Sequence, residues 1–230
     1  MAATKRFVAE GAVVALLARR AERLAELAAE LGEAVRPFPV DVADPIAVAA
    51  AVASADETLG GLDIVINAAG VSDPTPLEDL HAKTWQRTID INLSGSFYVA
   101  REAALRMMAA DGGVIVNVGS ELSSLGMAEC VHYCASKAGI VGMTKALAAE
   151  LAPKVRVNVV CPGPIDTPMI HAELALSPDP AEARREAIDR VPLKRLATPE
   201  EVVSAIRFLA VDAPYATGAV LPLDGGITVV

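Results

Sequence analysis

Positive charge is scarce in this chain of 230 residues. Lysine and arginine together number 20, against 29 aspartate and glutamate residues, so the formal net charge is −9. A nucleic acid or an anionic membrane surface would repel such a protein. We therefore expect neither nucleic acid nor a membrane among its partners.

Long apolar runs and cysteine are scarce as well. No run of eighteen apolar residues is present, although 53% of the residues are hydrophobic, so no membrane-spanning helix is expected. The first ten residues lack the apolar centre of a signal peptide. The three cysteines, Cys130, Cys134 and Cys161, form neither a metal-binding pattern nor an even set for disulfides. These features predict a cytoplasmic protein with reduced thiols and no metal site.

Short apolar runs alternate along the chain with longer segments of helical periodicity. The runs predict strands at 13–18, 35–40, 62–67, 114–118, 155–160 and 219–223. Helices are predicted at 21–31, 46–59, 85–110, around Tyr133, and at 199–211. Most strands are continuous apolar runs, which is typical of a parallel sheet buried on both faces. The pattern predicts an α/β fold with a doubly wound parallel sheet in a single domain spanning 1–230, with ligands outside the carboxyl ends of the strands.

The longest irregular segment covers about residues 162–191 and contains a short helical patch at 181–189. A long segment on the carboxyl side of a strand predicts a lid over the substrate. The alternative is an ordinary surface loop. For two single residues elsewhere in the chain, we expect His132 at the surface or an interface, and Trp85 in the core or packed against a helix.

Three residues indicate proton chemistry. Tyr133 and Lys137 lie four positions apart, so they share a helix face. An ammonium beside a phenol favours the phenolate and lowers its pKa from about 10, which gives an acid/base able to work near neutral pH. Ser120, thirteen positions before Tyr133, offers a hydroxyl to hold the substrate oxygen. With three tyrosines and six lysines, chance would give such a pair roughly 0.08 times. The set suits interconversion of an alcohol and a ketone.

These residues belong to an ordered series of motifs that resembles the short-chain dehydrogenase/reductase family, in particular its 3-oxoacyl-carrier-protein reductases and sugar or polyol dehydrogenases. The resemblance covers the chain from about Arg6. Ala68 stands where the family has a second asparagine. The motifs are Asn67-Ala68-Ala69-Gly70, Asn92, Ser120, Tyr133-x-x-x-Lys137, the segment from Pro162 to Thr167, and Leu223-Asp224-Gly225-Gly226.

The resemblance implies catalytic roles for four residues. Tyr133 would be the general acid/base, and Lys137 would lower its pKa and bind the nicotinamide ribose. Ser120 would orient the substrate oxygen. Asn92 would position a water that links Lys137 to solvent; the alternative is a buried asparagine that pins a helix.

The resemblance also implies which residues bind a dinucleotide. Asn67, Ala68, Ala69 and Gly70 would pass close to its ribose and phosphates. Asp41 and Val42 would contact the adenine, although Asp41 could instead be a helix cap or a surface carboxylate. The nicotinamide amide would be held by Pro162, Gly163, Ile165 and Thr167.

Cofactor choice depends on the end of the first predicted strand. Ala18 occupies the position of an NAD-type aspartate, and Arg19 and Arg20 follow it. Because guanidinium groups pair bidentately with phosphate, we expect NADP(H) rather than NAD(H), although arginines are also common on surfaces.

The family's first strand and its Thr-Gly-x-x-x-Gly-x-Gly loop have no counterpart in this sequence. That strand is central, so its absence predicts a gap between the strands at 13–18 and 62–67. We expect either that the natural polypeptide starts upstream of Met1 or that the chain begins here and binds dinucleotide weakly. The first expectation favours an NAD(P)(H)-dependent oxidoreductase with a small alcohol or ketone substrate, assembled as a homodimer or homotetramer. The second favours a non-catalytic oligomerising protein of the same fold.

Overall fold

The computed structural model describes residues 1–229 as an α/β fold of parallel strands flanked by helices. The strands are β1 (Val14–Ala18), β2 (Val35–Pro39), β3 (Ile64–Asn67), β4 (Gly113–Val118), β5 (Val155–Pro162) and β6 (Val220–Leu223). The helices are α1 (Ala2–Ala9), α2 (Ala21–Leu31), α3 (Pro45–Leu59), α4 (Ala82–Ile89), α5 (Gly95–Ala109), α6 (Val131–Leu151), α7 (Pro168–Leu174), α8 (Pro180–Asp189) and α9 (Pro199–Arg207). Within residues 1–229, every helix is too short or too polar to cross a lipid bilayer.

The strands form two parallel sheets rather than one. β1 pairs with β2, and β3, β4, β5 and β6 pair in that order. Val14 of β1 and Ile64 and Ile66 of β3 pack on one cluster with α1 and α9. Leu17 and Val65 pack on a second cluster with α3 and α5. Because β1 and β3 contribute to the same two clusters, they share one layer, but no ladder joins them within the described residues. The gap expected from the sequence is present.

Local sequence signals explain where the helices begin and end. Asp44 caps α3 by accepting from the backbone N–H groups of Ile46 and Ala47 at 2.9 and 3.0 Å. Gly60 ends the same helix in the left-handed region, with a φ of 77°. α9 begins with a capping box formed by Thr198 and Glu201. These caps provide hydrogen-bond partners for backbone groups at the helix ends.

The helix predicted at 85–110 begins earlier and is interrupted. α4 and α5 are joined by a π turn at Asp90–Ser94, in which Asn92 is fully buried. π turns of this kind are frequent at functional sites. Trp85 does not lie in the core, since 38% of its surface is exposed; the alternative, packing against a helix, stays a prediction.

The segment at 162–191 is more ordered than expected. It contains α8, which matches the helical patch foreseen at 181–189, and also α7, which the prolines of this segment concealed. Asp166 ties the segment together, because His171 lies 2.7 Å and Arg184 3.9 Å from its carboxylate. Its role as a lid stays a prediction.

Candidate active site

The predicted site residues gather where the parallel strands end. Arg19 and Arg20 follow β1, Asp41 and Val42 follow β2, and Ala68, Ala69 and Gly70 follow β3. Ser120 lies just beyond β4, and the segment from Gly163 to Thr167 follows β5. Ala68 and Ala69 are exposed, so this carboxyl edge is open to a ligand.

Ser120 is held by the turn that follows β4. A Cβ at the preceding Gly119 would lie 2.8 Å from the sulfur of Cys161, so glycine is required for this close approach. The Ser120 hydroxyl accepts from the N–H of Leu122 at 3.1 Å, and the hydroxyl of Ser123 accepts from the N–H of Ser120 at 3.1 Å. Ser120 in turn donates its hydroxyl proton to the carboxylate of Glu121 at 2.7 Å. The hydroxyl is therefore fixed in position and in hydrogen-bond direction.

Tyr133 and Lys137 come from the first two turns of α6 and lie beside Ser120. The Lys137 ammonium is 5.6 Å from the centre of the Tyr133 ring. It is buried and donates to the carbonyl of Val118 at 3.0 Å. The Ser120 side chain is close enough to the Tyr133 phenol to influence its pKa. The fold thus brings together the three residues that the sequence pattern had grouped.

Burial dominates the electrostatics of this group. It raises the pKa of Tyr133 above its ordinary value, the negative charge of Glu121 raises it further, and the hydrogen bond with Ser120 opposes both. Burial also lowers the pKa of Lys137 to about 8, against the attraction of Cys161 and Glu121. The lowered pKa of Tyr133 expected from Lys137 is therefore not found in this structure. A buried ammonium that is itself destabilised, and that faces a carbonyl, stabilises a phenolate too little to offset the loss of solvation.

Both amide hydrogens and the side-chain oxygen of Asn92 have partners inside the protein. Its side-chain oxygen accepts from the N–H of Val71 at 2.8 Å, and its amide donates to the Val71 carbonyl at 2.9 Å and to Ser136 at 3.1 Å. This arrangement fixes the chain just after β3 and corresponds to the helix-pinning alternative. The water relay through Asn92 stays a prediction.

The carboxyl edge fits the nicotinamide half of a dinucleotide. A Cβ at Gly70 would lie 3.4 Å from the side-chain oxygen of Asn92 and 3.8 Å from the Lys137 nitrogen, so glycine keeps this space open. An ammonium carries three N–H donors, and one hydrogen bond of Lys137, to Val118, is present among the described residues. Donors remain for ribose hydroxyls. Asn67 is buried and donates to Asn117 at 2.9 Å, which sets the end of β3.

The adenosine half fits less well. Arg19 lies 4.0 Å from Asp41, so the two residues expected to contact this half are neighbours. A pyrophosphate needs a glycine-rich turn that opens a helix. Residues 1–229 contain no such turn beside β1, because α1 precedes it directly. The described residues therefore lack a phosphate cradle.

The sequence analysis missed two carboxyl groups near the site and misjudged one histidine. Glu121 is 9% exposed, and burial raises its pKa. Glu173 of α7 also has its pKa raised by burial, partly offset by the hydroxyl of Ser72. Only the adjacency of Glu121 to Ser120 could have indicated the first. His132 is fully buried rather than at the surface, with one ring nitrogen 3.1 Å from the carbonyl of Asp73.

Comparisons with known proteins agree with this geometry. The family model described as enoyl-(acyl carrier protein) reductase matches residues 1–228. The cis-4-hydroxycyclohexanecarboxylate dehydrogenase of Sinomonas cyclohexanicum is 40% identical over 100% of this chain and 92% of its own length. The D-threitol dehydrogenase of Mycolicibacterium smegmatis is 39% identical over 97% of this chain and 86% of its own. A protein named inactive 2-(S)-hydroxypropyl-CoM dehydrogenase 2, from Xanthobacter autotrophicus, is 37% identical over 97% of this chain and 98% of its own.

Solved structures extend the similarity to the fold. The aldohexose dehydrogenase of Thermoplasma acidophilum superposes with a TM-score of 0.90 and 31% identity, over 100% of this chain and 89% of its own. The expected α/β, Rossmann-like class is therefore confirmed. Since sequence and fold both match along nearly the whole length, the chain belongs to the short-chain dehydrogenase/reductase family, whose members are oxidoreductases that use NAD(P).

Proposed function

We propose that the protein is an NAD(P)(H)-dependent oxidoreductase that interconverts a secondary alcohol and a ketone. The observation that supports this most strongly is the convergence of Ser120, Tyr133 and Lys137, with the ammonium 5.6 Å from the phenol ring. A hydroxyl, a phenol and an ammonium at the open edge of the sheet suit proton transfer to or from an oxygen bound to carbon.

Each residue has one task in the oxidation of an alcohol. Ser120 holds the substrate oxygen in place. Tyr133 as phenolate would accept the hydroxyl proton while the carbon–oxygen bond becomes a double bond; a nicotinamide held beside Lys137 would supply the acceptor for the hydride and its two electrons. Lys137 holds positive charge beside the phenol and donates to ribose hydroxyls. In the reverse direction, Tyr133 returns the proton to the ketone oxygen.

The raised pKa of Tyr133 affects the two directions of the reaction differently. In this structure the phenol is protonated at neutral pH, which suits ketone reduction directly. Oxidation of an alcohol needs the phenolate, so it needs added positive charge near the ring. An oxidised nicotinamide carries such a charge. We therefore expect the rate of oxidation to rise with pH more steeply than the rate of reduction.

For the cofactor we propose NADP(H) in preference to NAD(H). The support is Arg19 and Arg20, both exposed at the end of β1, where a guanidinium can reach a ribose 2′-phosphate. Ala18, with no carboxylate, offers nothing to a 2′-hydroxyl.

We propose that the working form is a homodimer or homotetramer in the cytoplasm. Two sets of exposed apolar side chains support this, since such patches commonly mark interfaces. The first lies on α5 and the start of α6, and the second near the π turn after α9 and on β6. Their members are Phe97, Leu105, Met108 and Val131 for the first set, and Phe208, Val211, Tyr215 and Val220 for the second. Light scattering on a sizing column tests this, and a monomer at micromolar concentration refutes it.

A second candidate function is a non-catalytic, oligomerising protein of this fold. The open gap between β1 and β3 and the lack of a phosphate cradle in residues 1–229 favour it, and one relative carries the word inactive in its name. The intact set of Ser120, Tyr133 and Lys137 opposes it.

One assay separates the two functions. NADPH oxidation is followed across a panel of ketones with the 230-residue chain and with the same chain preceded by a strand and a Thr-Gly-x-x-x-Gly-x-Gly loop fused to Met1. We expect turnover by the fused protein and its loss, by at least about a thousandfold, in the Tyr133→Phe variant. Turnover that survives Tyr133→Phe refutes the assigned role, and no turnover by the fused protein favours the non-catalytic function.

A further inference from the structure

The hydroxyl of Ser120 can make three hydrogen bonds, and two of them are already made inside the protein. A serine hydroxyl carries one donor proton and two acceptor lone pairs. The proton goes to the carboxylate of Glu121 at 2.7 Å, and one lone pair accepts from the N–H of Leu122 at 3.1 Å. One acceptor position therefore remains. In this state Ser120 can accept a hydrogen bond from a substrate but cannot donate one.

This state of Ser120 suits an alcohol better than a ketone. An alcohol oxygen carries a proton that it can donate to the remaining lone pair of Ser120. A ketone oxygen only accepts, so it needs the proton that Ser120 now donates to Glu121. While that proton is committed, the ketone oxygen faces a lone pair and lacks a partner, which weakens its binding.

Protonation of Glu121 removes this restriction. The O–H of a carboxylic acid can donate to Ser120, and the Ser120 proton is then free for the ketone oxygen. Ser120 accepts from Leu122 and Glu121 and donates to the ketone, so all three of its positions are used. The step adds one proton from solvent to the carboxylate and turns one hydroxyl. Solvent reaches Glu121 through a cavity of about 230 Å³ that it lines together with Ser123 and Ser124.

The place of Glu121 in the chain fits this exchange. It begins the 3-10 turn directly after Ser120, and 9% of its surface is exposed. Its neighbour Ser120 is fixed from the other side, because the hydroxyl of Ser123 accepts from the backbone N–H of Ser120 at 3.1 Å. Rotation of the Ser120 hydroxyl is therefore the movement that distinguishes the two states.

The charged groups that face Glu121 keep their charge between pH 5.5 and pH 7.0. Lys137 of α6 and Arg190 after α8 attract its carboxylate, and Asp224 after β6 repels it. Lys145 of α6 lines the same cavity and is exposed. The basic groups stay protonated, since even the buried Lys137 has a pKa of about 8. Asp224 stays ionised, because its pKa is lowered by hydrogen bonds that outweigh the effect of its burial.

Three uncharged groups also lie near Glu121. The pKa values of Tyr133 on α6, Cys161 on β5 and Cys130 before α6 are each raised by burial, so these groups stay neutral over the same range. Burial also raises the pKa of Glu121, which brings its protonated form to mildly acidic pH. A change of charge in this part of the site is therefore assigned to Glu121.

We propose, on the basis of the proposed function, that Glu121 is a positioning residue that sets the hydrogen-bond direction of Ser120. With Glu121 ionised, Ser120 accepts from an alcohol; with Glu121 protonated, Ser120 donates to a ketone. Binding of the ketone is therefore coupled to the uptake of one proton. An alcohol can donate or accept, so it fits both states and its binding is not coupled in this way.

Binding of cyclohexanone and cyclohexanol to the 230-residue chain tests the proposal without requiring turnover. The two compounds share a ring and differ in whether the oxygen carries a proton. Their affinities are measured by ligand-observed NMR titration between pH 5.5 and pH 7.0. We expect the affinity for the ketone to fall at least about fivefold as the pH rises, and that for the alcohol to change less than about twofold. Calorimetry in two buffers with different enthalpies of ionisation should show proton uptake with the ketone alone.

Variants separate the hydrogen-bond exchange from a merely structural role. In Glu121→Gln the amide can donate to Ser120 as the carboxylic acid does, so the ketone should bind independently of pH and as tightly as it binds the native protein at pH 5.5. A structural role would weaken both compounds together. Glu121→Met offers no acceptor to the Ser120 proton, so it should also bind the ketone independently of pH, and it serves if Glu121→Gln does not fold. Glu57→Gln removes an exposed carboxylate of α3 and should keep the native pH dependence.

The possible outcomes decide the proposal. An affinity of the native protein for the ketone that stays constant over this range overturns it, as does the absence of binding by both compounds. A pH dependence that survives Glu121→Gln, as one caused by His132 would, overturns it as well. Coupling that behaves as expected without turnover of any alcohol or ketone supports it and overturns the proposed function alone.

Discussion

Replacing Lys137 by methionine should stabilise the protein at neutral pH while removing its activity. The lysine is buried, and burial lowers its pKa from 10.5 to about 8. At 1.36 kcal/mol per pKa unit, keeping this ammonium charged in the folded state costs about 3 kcal/mol below pH 8. Methionine has a similar length and no charge. Removing the ammonium therefore stabilises the folded state, but loss of its hydrogen bond to the Val118 carbonyl reduces this stabilisation by about 1–2 kcal/mol.

The net expectation for Lys137→Met at pH 7 is a rise of about 1–2 kcal/mol in the free energy of unfolding, or roughly 2–8 °C in Tm for a chain of this size. Urea unfolding followed by circular dichroism measures the difference. Lys145→Met, on the same helix but exposed, is the matched control and should change stability by less than about 0.5 kcal/mol.

The pH dependence distinguishes this cause from better packing. A lysine whose pKa is lowered by folding contributes its full stability above its unfolded pKa of 10.5, and that stability is lost as the pH falls toward 8. Between pH 8 and pH 9.5, the free energy of unfolding of the native protein should therefore rise by about 2 kcal/mol relative to that of Lys137→Met. A difference between the two proteins that is constant over this range, or a variant less stable at every pH, refutes the reasoning.

Three further outcomes are expected. Calorimetric titration of the 230-residue chain with NADPH should show no binding in the micromolar range. The chain with the strand and glycine-rich loop fused to Met1 should bind NADPH. Micromolar binding by the 230-residue chain contradicts the account of the phosphate cradle. In the fused protein, Arg19→Ala should reduce the preference for NADPH over NADH by roughly tenfold, measured by the same titration; an unchanged ratio removes Arg19 from cofactor choice. Because folding raises the pKa of Glu121, the stability that its protonated form contributes is lost as the pH rises through the folded pKa. The Tm of Glu121→Gln relative to that of the native protein should therefore rise between pH 5 and pH 8. A difference in Tm that falls over this range contradicts the reasoning.

The elements that sequence periodicity predicted well are those with buried, continuous apolar runs. β4 and β5 begin and end within about two residues of the predicted bounds, because buried parallel strands leave an unambiguous pattern. The helix at 85–110 shows the limit of this reasoning. Its periodicity continues through Asp90–Ser94, but the hydrogen bonds there shift to a π turn around buried Asn92. That shift depends on the contact between Asn92 and Val71, which local periodicity does not contain.

For the site, the sequence predicted which residues meet but not their electrostatics. Grouping Ser120, Tyr133 and Lys137 required only helix geometry and spacing, so the sequence was sufficient. The electrostatics required the fold. Burial of Tyr133 and Lys137 moves their pKa values in the direction opposite to the one expected from an exposed pair. The burial that raises the pKa of Glu173 depends on how α7 packs, which no spacing in the sequence indicates.

The site has one half on each sheet, and the half on the four-stranded sheet does not depend on the gap between β1 and β3. Ser120 follows β4, and Asn67 ends β3, so both belong to the four-stranded sheet, against which α6 packs with Tyr133 and Lys137. Paired strands hold this half, and its geometry does not require a strand between β1 and β3.

The adenosine half lies on the other sheet. Arg19 and Asp41 follow β1 and β2, which pair only with each other among the described strands. Their distance from Lys137 is set by side-chain packing across the gap rather than by backbone hydrogen bonds. A strand bonded to both β1 and β3 would fix that distance and satisfy backbone groups that otherwise cost about 1–3 kcal/mol each when buried without partners. Supplying such a strand should therefore improve dinucleotide affinity far more than it changes the arrangement of Ser120, Tyr133 and Lys137.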